Sequence, residues 1–257
     1  MLQPSSATAF DAVASLVSLT VYLGAALIVL ARRPRESHAR AFLVVALASA
    51  VPYMTTALQW MRGNGVYTPP IVGLTAASFA IGSAALFHFT QVFPWRRPWI
   101  QRHFLWLALA YCVLPWPVAF IAWVAATLLA PVAMSGSIGA VSPDPMIGIV
   151  VLLMLPAIFV AGVVLPVGGV YSLFKSWQEA GAARFERARA TTFWMLISQM
   201  GGGVLAVVAV PLLQFGGVGA PWSTMIAALA YGFALILPLV YVRHVAIDAL
   251  STSASPE

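Results

Sequence analysis

Residues 146–174 read Met146-Ile-Gly-Ile-Val-Val-Leu-Leu-Met-Leu-Pro-Ala-Ile-Phe-Val-Ala-Gly-Val-Val-Leu-Pro-Val-Gly-Gly-Val-Tyr-Ser-Leu-Phe174, a stretch without Asp, Glu, Lys or Arg. A helix needs about 20 apolar residues to cross the roughly 30 Å hydrocarbon core of a bilayer. The run is continuously apolar, whereas strands of a membrane barrel alternate between polar and apolar residues. Because a helix satisfies its own backbone groups in lipid, the stretch predicts a transmembrane helix.

The composition of the whole chain agrees with this prediction. Of its 257 residues, 61% are hydrophobic and only 8% are charged. A soluble domain normally carries about 25% charged residues, because its surface must be hydrated. The single cysteine excludes a disulfide scaffold and a cysteine-ligated zinc site. The sequence therefore predicts an integral membrane protein.

Seven stretches of the chain are long and apolar enough to cross a bilayer. We predict an all-α, polytopic fold with one seven-helix transmembrane domain over residues 1–243 and a short cytoplasmic tail over 244–257. The connection 176–190 mixes charge with Ala, which favours a short helix along the membrane surface. The predicted helices cover 8–31, 40–61, 70–94, 104–130, 146–174, 191–214 and 222–242.

The basic residues indicate how the bundle is oriented. Twelve of the 13 follow the first, third, fifth or seventh predicted helix, and only Arg62 lies on the opposite side. Short cytoplasmic loops collect Lys and Arg, so we expect the N-terminus outside and the C-terminus in the cytoplasm of a bacterial inner membrane. The net charge of +6 then reflects insertion and attraction to the lipid bilayer. No nucleic-acid partner is needed to explain it.

Uncharged polar residues within the predicted spans form two layers. The outer layer suits a ligand pocket better, because molecules outside the cell could reach it. Such groups also hold helices together at about 0.6–2 kcal/mol per pair, so packing is the alternative for both layers. The candidate outer pocket comprises Tyr53, Thr56, Gln59, Trp60, Gln214 and Thr224, and the inner polar cluster comprises His88, Gln91, Trp194, Gln199 and Tyr241.

His88 is the only ionisable residue well within a predicted span, about 9 Å inside the end of the third helix. It is a ligand to haem or a chlorin, a hydrogen-bonding group in a pocket, or a neutral histidine bonded to a neighbouring helix. A bis-histidine site needs a second His at similar depth, and the sequence offers none, so we predict no cofactor. The other histidines, His38, His103 and His244, lie in or beside basic loops, where proximity to the interface explains them.

Motifs for catalysis are missing from the sequence. It contains no His-Glu-x-x-His, no Gly-rich phosphate loop and no pair of acids placed as acid and base. The spans lack the buried carboxylates expected of an ion-coupled transporter. The only lysine, Lys175, ends the fifth helix, which excludes a retinal protein. We therefore predict a protein that is not an enzyme and that binds no metal.

Three segments resemble the seven-helix membrane modules at the N-terminus of bacterial sensor histidine kinases and related signalling proteins. Leu86-Phe-His-Phe-Thr-Gln-Val-Phe-Pro-Trp-Arg-Arg-Pro98 is similar to an aromatic-rich third helix that ends in Phe-Pro before a basic loop. Ala183-Arg-Phe-Glu-Arg-Ala-Arg-Ala-Thr-Thr-Phe-Trp194 is similar to the Arg-rich entry to the sixth helix, and Tyr241-Val-Arg-His-Val-Ala-Ile-Asp-Ala249 to the exit from the last. In those kinases a phosphoacceptor helix and an ATPase domain follow. The resemblance therefore implies a sensor whose output domain is a separate protein.

These observations lead to one main hypothesis and two alternatives. The main hypothesis is a non-enzymatic receptor or sensor module that binds a small or lipophilic ligand. It would couple to a protein partner, in the membrane or at its cytoplasmic face, through Arg96, Arg97, Arg184, Arg187 and Arg189. The alternatives are an accessory structural subunit of a larger membrane complex, and a haem or pigment carrier that uses His88. The oligomeric state stays open.

Overall fold

A computed structural model describes residues 9–62, 68–95, 97–135, 145–205 and 220–253. Over these residues the chain is helical, without a β-strand. A single π-helical turn, Val160–Val164, separates α7 from α8. The α-helices are α1 (Ala9–Arg32), α2 (Ser37–Arg62), α3 (Pro69–Val92), α4 (Pro98–Arg102), α5 (Phe104–Cys112), α6 (Pro115–Ser135), α7 (Pro145–Phe159), α8 (Leu165–Ala182), α9 (Glu186–Val204) and α10 (Ala220–Ser253).

The described helices include six stretches long and apolar enough to cross a membrane. Large apolar side chains point away from the bundle on several of them, as shown by Leu27 at 62%, Leu105 at 75% and Leu153 at 74% exposure. Water would penalise so much exposed apolar area, whereas lipid does not. The chain is therefore a multi-pass helical membrane protein. The six stretches are Ala9–Arg32, Ser37–Leu58, Pro69–Val92, Phe104–Leu128, Gly148–Ala182 and Thr224–Val245.

The predicted sixth helix, 191–214, is only partly covered by this structure. Its helix α9 begins earlier than predicted, at Glu186, and is described to Val204. The segment from residue 206 to the predicted end at 214 lies outside the described residues. The seventh prediction, 222–242, falls within the longer α10, which continues as helix through the first part of the segment predicted as a tail.

The predicted fourth helix, 104–130, is two helices rather than one. Helix α5 ends at Cys112 and α6 begins at Pro115. A residue before proline is disfavoured in the α conformation, and proline itself is well suited to the first position of a helix. Pro115 therefore ends one helix and starts the next, so the prediction of one unbroken helix was wrong, whereas Phe104–Leu128 as a whole is one stretch long and apolar enough to cross a membrane.

The predicted fifth helix, 146–174, extends further than expected. Helices α7 and α8 and the π-helical turn between them run to Ala182. Pro156 and Pro166 flank the turn, and neither can donate a backbone hydrogen bond to an earlier carbonyl, which accounts for irregular winding here. Only Ala183–Phe185 separate α8 from α9, so the short surface helix predicted over 176–190 was wrong. Arg184 has a φ of 57°, which reverses the chain in this turn.

Six of the described helices pack into a closed ring. Helix α1 contacts α2 on one side and α10 on the other, so the last helix returns to the first. The ring continues from α2 to α3, from α3 to α8, and through α9 back to α10. Helix α3 also contacts α5 and α6. The first and last described helices therefore close the ring.

Small residues allow these helices to approach each other. The main core contains Ala25, Ala26, Ala39 and Ala46 together with larger aromatic side chains. A second core, around Ala80 and Ala84, joins α3 to α6 and α8. Small side chains are typical of contacts between membrane helices, where lipid removes most of the hydrophobic drive for association.

Candidate functional site

A network of ring contacts, hydrogen bonds and ion pairs joins several helices at one end of the bundle, which we call the basic end. It is formed by the α1–α2, α3–α4 and α8–α9 turns and by the C-terminal part of α10. Six ring-bearing residues converge there, and we refer to them as the basic-end cluster. They are His38 and Phe42 on α2, Phe89 on α3, Phe93 in the turn that follows α3, and Tyr241 and His244 on α10.

Tyr241 is the centre of the basic-end cluster and is fully buried. Its ring centroid lies 4.7 Å from that of Phe42, 5.0 Å from Phe89 and 5.5 Å from Phe93. Aromatic pairs at these separations contribute about 0.5–1.5 kcal/mol each beyond the area that they bury. Since the partners come from α2, α3 and the turn after α3, Tyr241 holds the C-terminal half of α10 against three parts of the bundle.

A chain of polar groups crosses the same cluster. Arg33 donates from Nη1 to Glu36 Oε1 over 2.8 Å, and the Glu36 carboxylate pairs with His38 Nε2. The other ring nitrogen of His38, Nδ1, is hydrogen-bonded to the Tyr241 hydroxyl. A carboxylate only accepts, so in neutral His38 the Nε2–H donates to Glu36 and the Tyr241 hydroxyl donates to Nδ1. The α1–α2 turn is thereby linked to α10.

His244 extends this linkage to α9. Its ring lies 5.2 Å from that of Phe93, and its Nδ1 lies 3.3 Å from the hydroxyl of Thr191 on α9. Thr191 is buried and also donates to the carbonyl of Arg187 over 2.9 Å. The basic-end cluster therefore joins α2, α3, α9 and α10.

Arg97 makes a second linkage, between the α3–α4 turn and α8. Its Nη2 donates to Ser176 Oγ over 2.9 Å and to Glu179 Oε2 over 3.3 Å. Trp95 donates from Nε1 to the same carboxylate oxygen over 3.1 Å. The Arg97 side chain is only 15% exposed, so it contacts its own protein rather than facing outward.

The other arginines predicted to couple to a partner differ in their surroundings. Arg184 lies exposed in the turn between α8 and α9, and Arg187 is exposed on the first turn of α9. The Arg189 guanidinium stacks over the Trp177 ring, 5.1 Å from its centroid. Arg96 lies outside the described residues.

The predicted inner polar cluster is spread over several places. His88 pairs with Tyr111 on α5, with 3.3 Å between Nδ1 and the hydroxyl. Gln91 is buried, and its backbone carbonyl accepts from the Arg97 amide over 3.0 Å. Trp194 is half exposed and contacts the ring of Phe193, Gln199 is partly buried, and Tyr241 belongs to the basic-end cluster.

The predicted outer pocket can be followed for only half of its residues. The Tyr53 ring lies 6.0 Å from Tyr22 and 6.2 Å from Tyr231, between α1 and α10. Thr56 donates to the Pro52 carbonyl of its own helix over 3.0 Å, and Thr224 is exposed near the start of α10. The side chains of Gln59 and Trp60, and the whole of Gln214, lie outside the described residues.

A polar layer that sequence reasoning missed lies between α1 and α10. Ser15 and Ser18 are fully buried, and Ser15 Oγ lies 2.8 Å from the Tyr231 hydroxyl. The Tyr22 hydroxyl donates to the Ala234 carbonyl over 2.9 Å. The signal was present, because Ser15, Ser18 and Tyr22 follow each other at spacings of three and four residues and so share one helix face. Sequence reasoning also missed Glu36 and the role of His38.

Comparisons with protein-family models, with curated proteins and with solved structures each found no match to this chain. Among the residues that the structure describes, no group of three or more His, Cys, Asp or Glu side chains is placed to hold a metal ion. The fold thus defines a class, that of multi-pass helical membrane proteins.

Proposed function

We propose that this chain is a non-enzymatic receptor or sensor module of a bacterial inner membrane, with its N-terminus outside and its C-terminus in the cytoplasm. It binds a small or lipophilic ligand and transmits this event to a separate protein partner through its basic end. The observation that carries the proposal is the basic-end cluster, in which Tyr241 connects α10 to α2 and α3. The resemblance of three segments to sensor modules of histidine kinases agrees with it.

The ring arrangement suggests how a signal would travel. Tyr53, from the predicted outer pocket, packs against Tyr231 on α10, and the same helix carries Tyr241 ten residues further along. A ligand that moved α10 at Tyr231 would also change the contacts of Tyr241. Such a change requires the ligand to bind one of two states more tightly than the other. The turns beside His38 and Thr191 would then move as a consequence.

The orientation is tested by cysteine labelling. The only cysteine, Cys112, is replaced by Ser, and Arg184→Cys is introduced in the exposed α8–α9 turn. We expect a membrane-impermeant thiol reagent to label this site in inside-out vesicles and not in intact spheroplasts. Labelling in spheroplasts would reverse the proposed orientation.

The coupling is tested by pulsed EPR between two spin labels at the basic end. The labels are attached to Arg35→Cys and Arg184→Cys, both exposed, in the Cys112→Ser background. Tyr241→Phe removes only the hydroxyl that His38 binds, and Tyr171→Phe is the matched control because Tyr171 is 66% exposed. We expect the distance distribution to broaden or to gain a second population in Tyr241→Phe alone. Identical distributions in all three proteins would overturn the role of the cluster.

The partner is tested by photocrosslinking in bacterial cells. A photoreactive amino acid is placed at Arg184 in the basic-end turn, and a control is placed at Leu105, which is 75% exposed on the apolar surface of α5. A sensor module predicts one protein crosslinked at residue 184 and none at residue 105. Crosslinking at residue 105 alone would contradict coupling through the basic end.

A second candidate function is that of an accessory subunit in a larger membrane complex. The observation that favours it is an exposed aromatic surface on α5 and α6, where Phe104 and Trp106 are both 66% exposed and Trp116 is 77% exposed. Aromatic residues are enriched in the centres of protein interfaces. A partner that co-purifies stoichiometrically in mild detergent, and is lost in Trp116→Ala, would favour this function.

The proposal includes no cofactor. The Tyr111 hydroxyl lies beside Nδ1 of His88, and the Tyr111 ring packs edge-on against the imidazole. The alternative, a haem or chlorin carried by His88, predicts a Soret or visible absorption band in the purified protein that disappears in His88→Ala. We expect the spectrum of the protein to show neither band.

A further inference from the structure

A cleft of about 390 Å³ lies between α9 and α10 at the basic end. Its volume falls within the range of about 300–1,000 Å³ typical of ligand pockets. The residues that line it include Arg187, Thr191 and Trp194 from α9 and Val240, Arg243 and His244 from α10. Thr191 and Trp194 follow Arg187 at spacings of four and seven residues, and Arg243 and His244 follow Val240 at three and four, so each set lies on one side of its helix.

The polarity of the cleft changes along the helices. Arg187 and Arg243 lie toward the basic end, whereas Trp194 and Val240 lie deeper along α9 and α10. Seven residues of α-helix separate Arg187 from Trp194, a distance of about 10 Å along the axis. The cleft thus offers positive charge near the end of the bundle and apolar surface toward the span, which is the polarity of a phospholipid.

The charge of the cleft favours an anion. Its lining includes two arginines and a histidine and no acidic residue. Arg33 and Arg97 form ion pairs with Glu36 and Glu179, but within the part of the chain that the structure describes Arg187 and Arg243 form none. Guanidinium groups bind phosphate oxygens through two parallel hydrogen bonds, and basic pockets between membrane helices on the cytoplasmic side are suited to anionic headgroups.

We propose that this cleft binds the phosphate group of an anionic phospholipid. Arg187 and Arg243 contact the phosphate, and Trp194 and Val240 pack against the glycerol and the first acyl carbons. Free phosphate shares the anionic chemistry but would leave the apolar half of the cleft unused. This inference does not depend on the proposed sensor function, because it rests only on the lining of the cleft.

The test measures lipid binding to the full-length protein in detergent by native mass spectrometry. The probes are phosphatidylglycerol, zwitterionic phosphatidylcholine and inorganic phosphate. The cleft variant is Arg187→Gln/Arg243→Gln, and the matched control is Arg32→Gln/Arg35→Gln, which removes two exposed arginines from the same end of the bundle. Both variants lose the same charge, so non-specific attraction to anionic lipid falls equally in both.

We expect the wild-type chain to prefer phosphatidylglycerol over phosphatidylcholine. The cleft variant should lose about tenfold to hundredfold of its affinity for phosphatidylglycerol, because it loses the direct guanidinium–phosphate hydrogen bonds, each worth roughly a factor of ten, in addition to the non-specific attraction. The control should lose only a few-fold. Arg187→Lys/Arg243→Lys keeps the charge but not the paired hydrogen bonds, so its loss of affinity should be intermediate. If the Gln variant does not fold, this Lys variant decides the test.

Three results would overturn the proposal. They are equal losses in the cleft and control variants, equal binding of the two lipids by the wild-type chain, and complete displacement of phosphatidylglycerol by inorganic phosphate at the same concentration. The last result would assign the cleft to a soluble phosphate compound instead of a lipid.

Discussion

At Gly201, α9 lies so close to α10 that there is no room for a side chain. A Cβ atom added there would lie 2.4 Å from Cδ1 and 2.8 Å from Cγ of Phe233 on α10. A Cβ atom added at either of the next two glycines, Gly202 or Gly203, would have no heavy atom of a neighbouring element within 4 Å. Gly201→Ala and Gly202→Ala are therefore chemically identical changes in opposite surroundings.

The expected cost of Gly201→Ala follows from these distances. Ordinary van der Waals contact begins at 3.4 Å, so the new methyl group would be about 1 Å too close to the Phe233 ring. Rotating the ring about its own axis gives no relief, because Cγ stays in place. Overpacking of this kind costs about 1–3 kcal/mol. Replacing a glycine inside a helix gains about 0.5–1 kcal/mol at either site, so this gain cancels in the comparison.

The assay is unfolding of the purified protein in mixed detergent micelles, followed by tryptophan fluorescence. We expect Gly202→Ala to be as stable as the wild-type chain or slightly more stable. Gly201→Ala should be less stable than Gly202→Ala by about 1–3 kcal/mol. In a Phe233→Ala background the difference between the two alanine variants should disappear, because the clashing ring is gone. Equal stability of the two single variants, or an unchanged difference without Phe233, would refute the close approach of α9 and α10.

Two further predictions use the same stability assay. Arg97→Lys should lower the free energy of unfolding by about 1–3 kcal/mol, because a single ammonium group cannot replace the guanidinium hydrogen bonds to Ser176 and Glu179 on α8. The control, Arg102→Lys on the exposed surface, should change it by almost nothing. Equal effects would show that the α8 contacts of Arg97 do not stabilise the fold. Ser15→Ala should lower the free energy of unfolding by about 0.6–1.7 kcal/mol through loss of the hydrogen bond to Tyr231. This loss should exceed that of Thr20→Ala, since Thr20 is exposed and bonds only within its own helix. The opposite order would contradict a buried polar layer.

Helix α1 shows what hydrophobicity can and cannot predict in a membrane chain. Its length and apolar content predicted the span 8–31 closely, against the observed Ala9–Arg32. Hydrophobicity does not show which face is buried, because Val13 and Leu16 are 61% and 49% exposed while Ser15 is fully buried. In lipid, small and weakly polar residues face other helices and large apolar residues face outward. The recurrence of small residues would have predicted the buried face.

His38 shows a second limit. Its position in a predicted basic loop is explained by proximity to the membrane interface and gives no reason to single it out. Its partner Tyr241 lies 203 residues away, and only the packing of α10 against α1, with Tyr241 against Phe42 on α2, brings the two together. A contact of this kind depends on which helices are neighbours, and no local pattern in the sequence records it.

The break between α5 and α6 is different, because its signal was local. Pro115 and Pro117 lie inside the predicted span 104–130, and the residue before a proline is disfavoured in a helix. Prolines within transmembrane helices are often tolerated, so hydrophobicity outweighed them in the prediction. The structure indicates that two prolines so close together end a helix here.

The arginines at the basic end now separate into groups with different roles. The insertion of the bundle in one orientation depends only on which side carries the positive charge. It does not depend on the contacts that each arginine makes. Arg33 and Arg97 nevertheless form ion pairs with acidic residues of their own chain: the Arg33 pair lies within the α1–α2 turn, and the Arg97 pair connects the α3–α4 turn to α8. Arg187 and Arg243 instead line a cleft. If insertion were the only demand on these residues, glutamine at 187 and 243 would have the same consequences as glutamine at 32 and 35, and the lipid-binding experiment compares these two pairs directly.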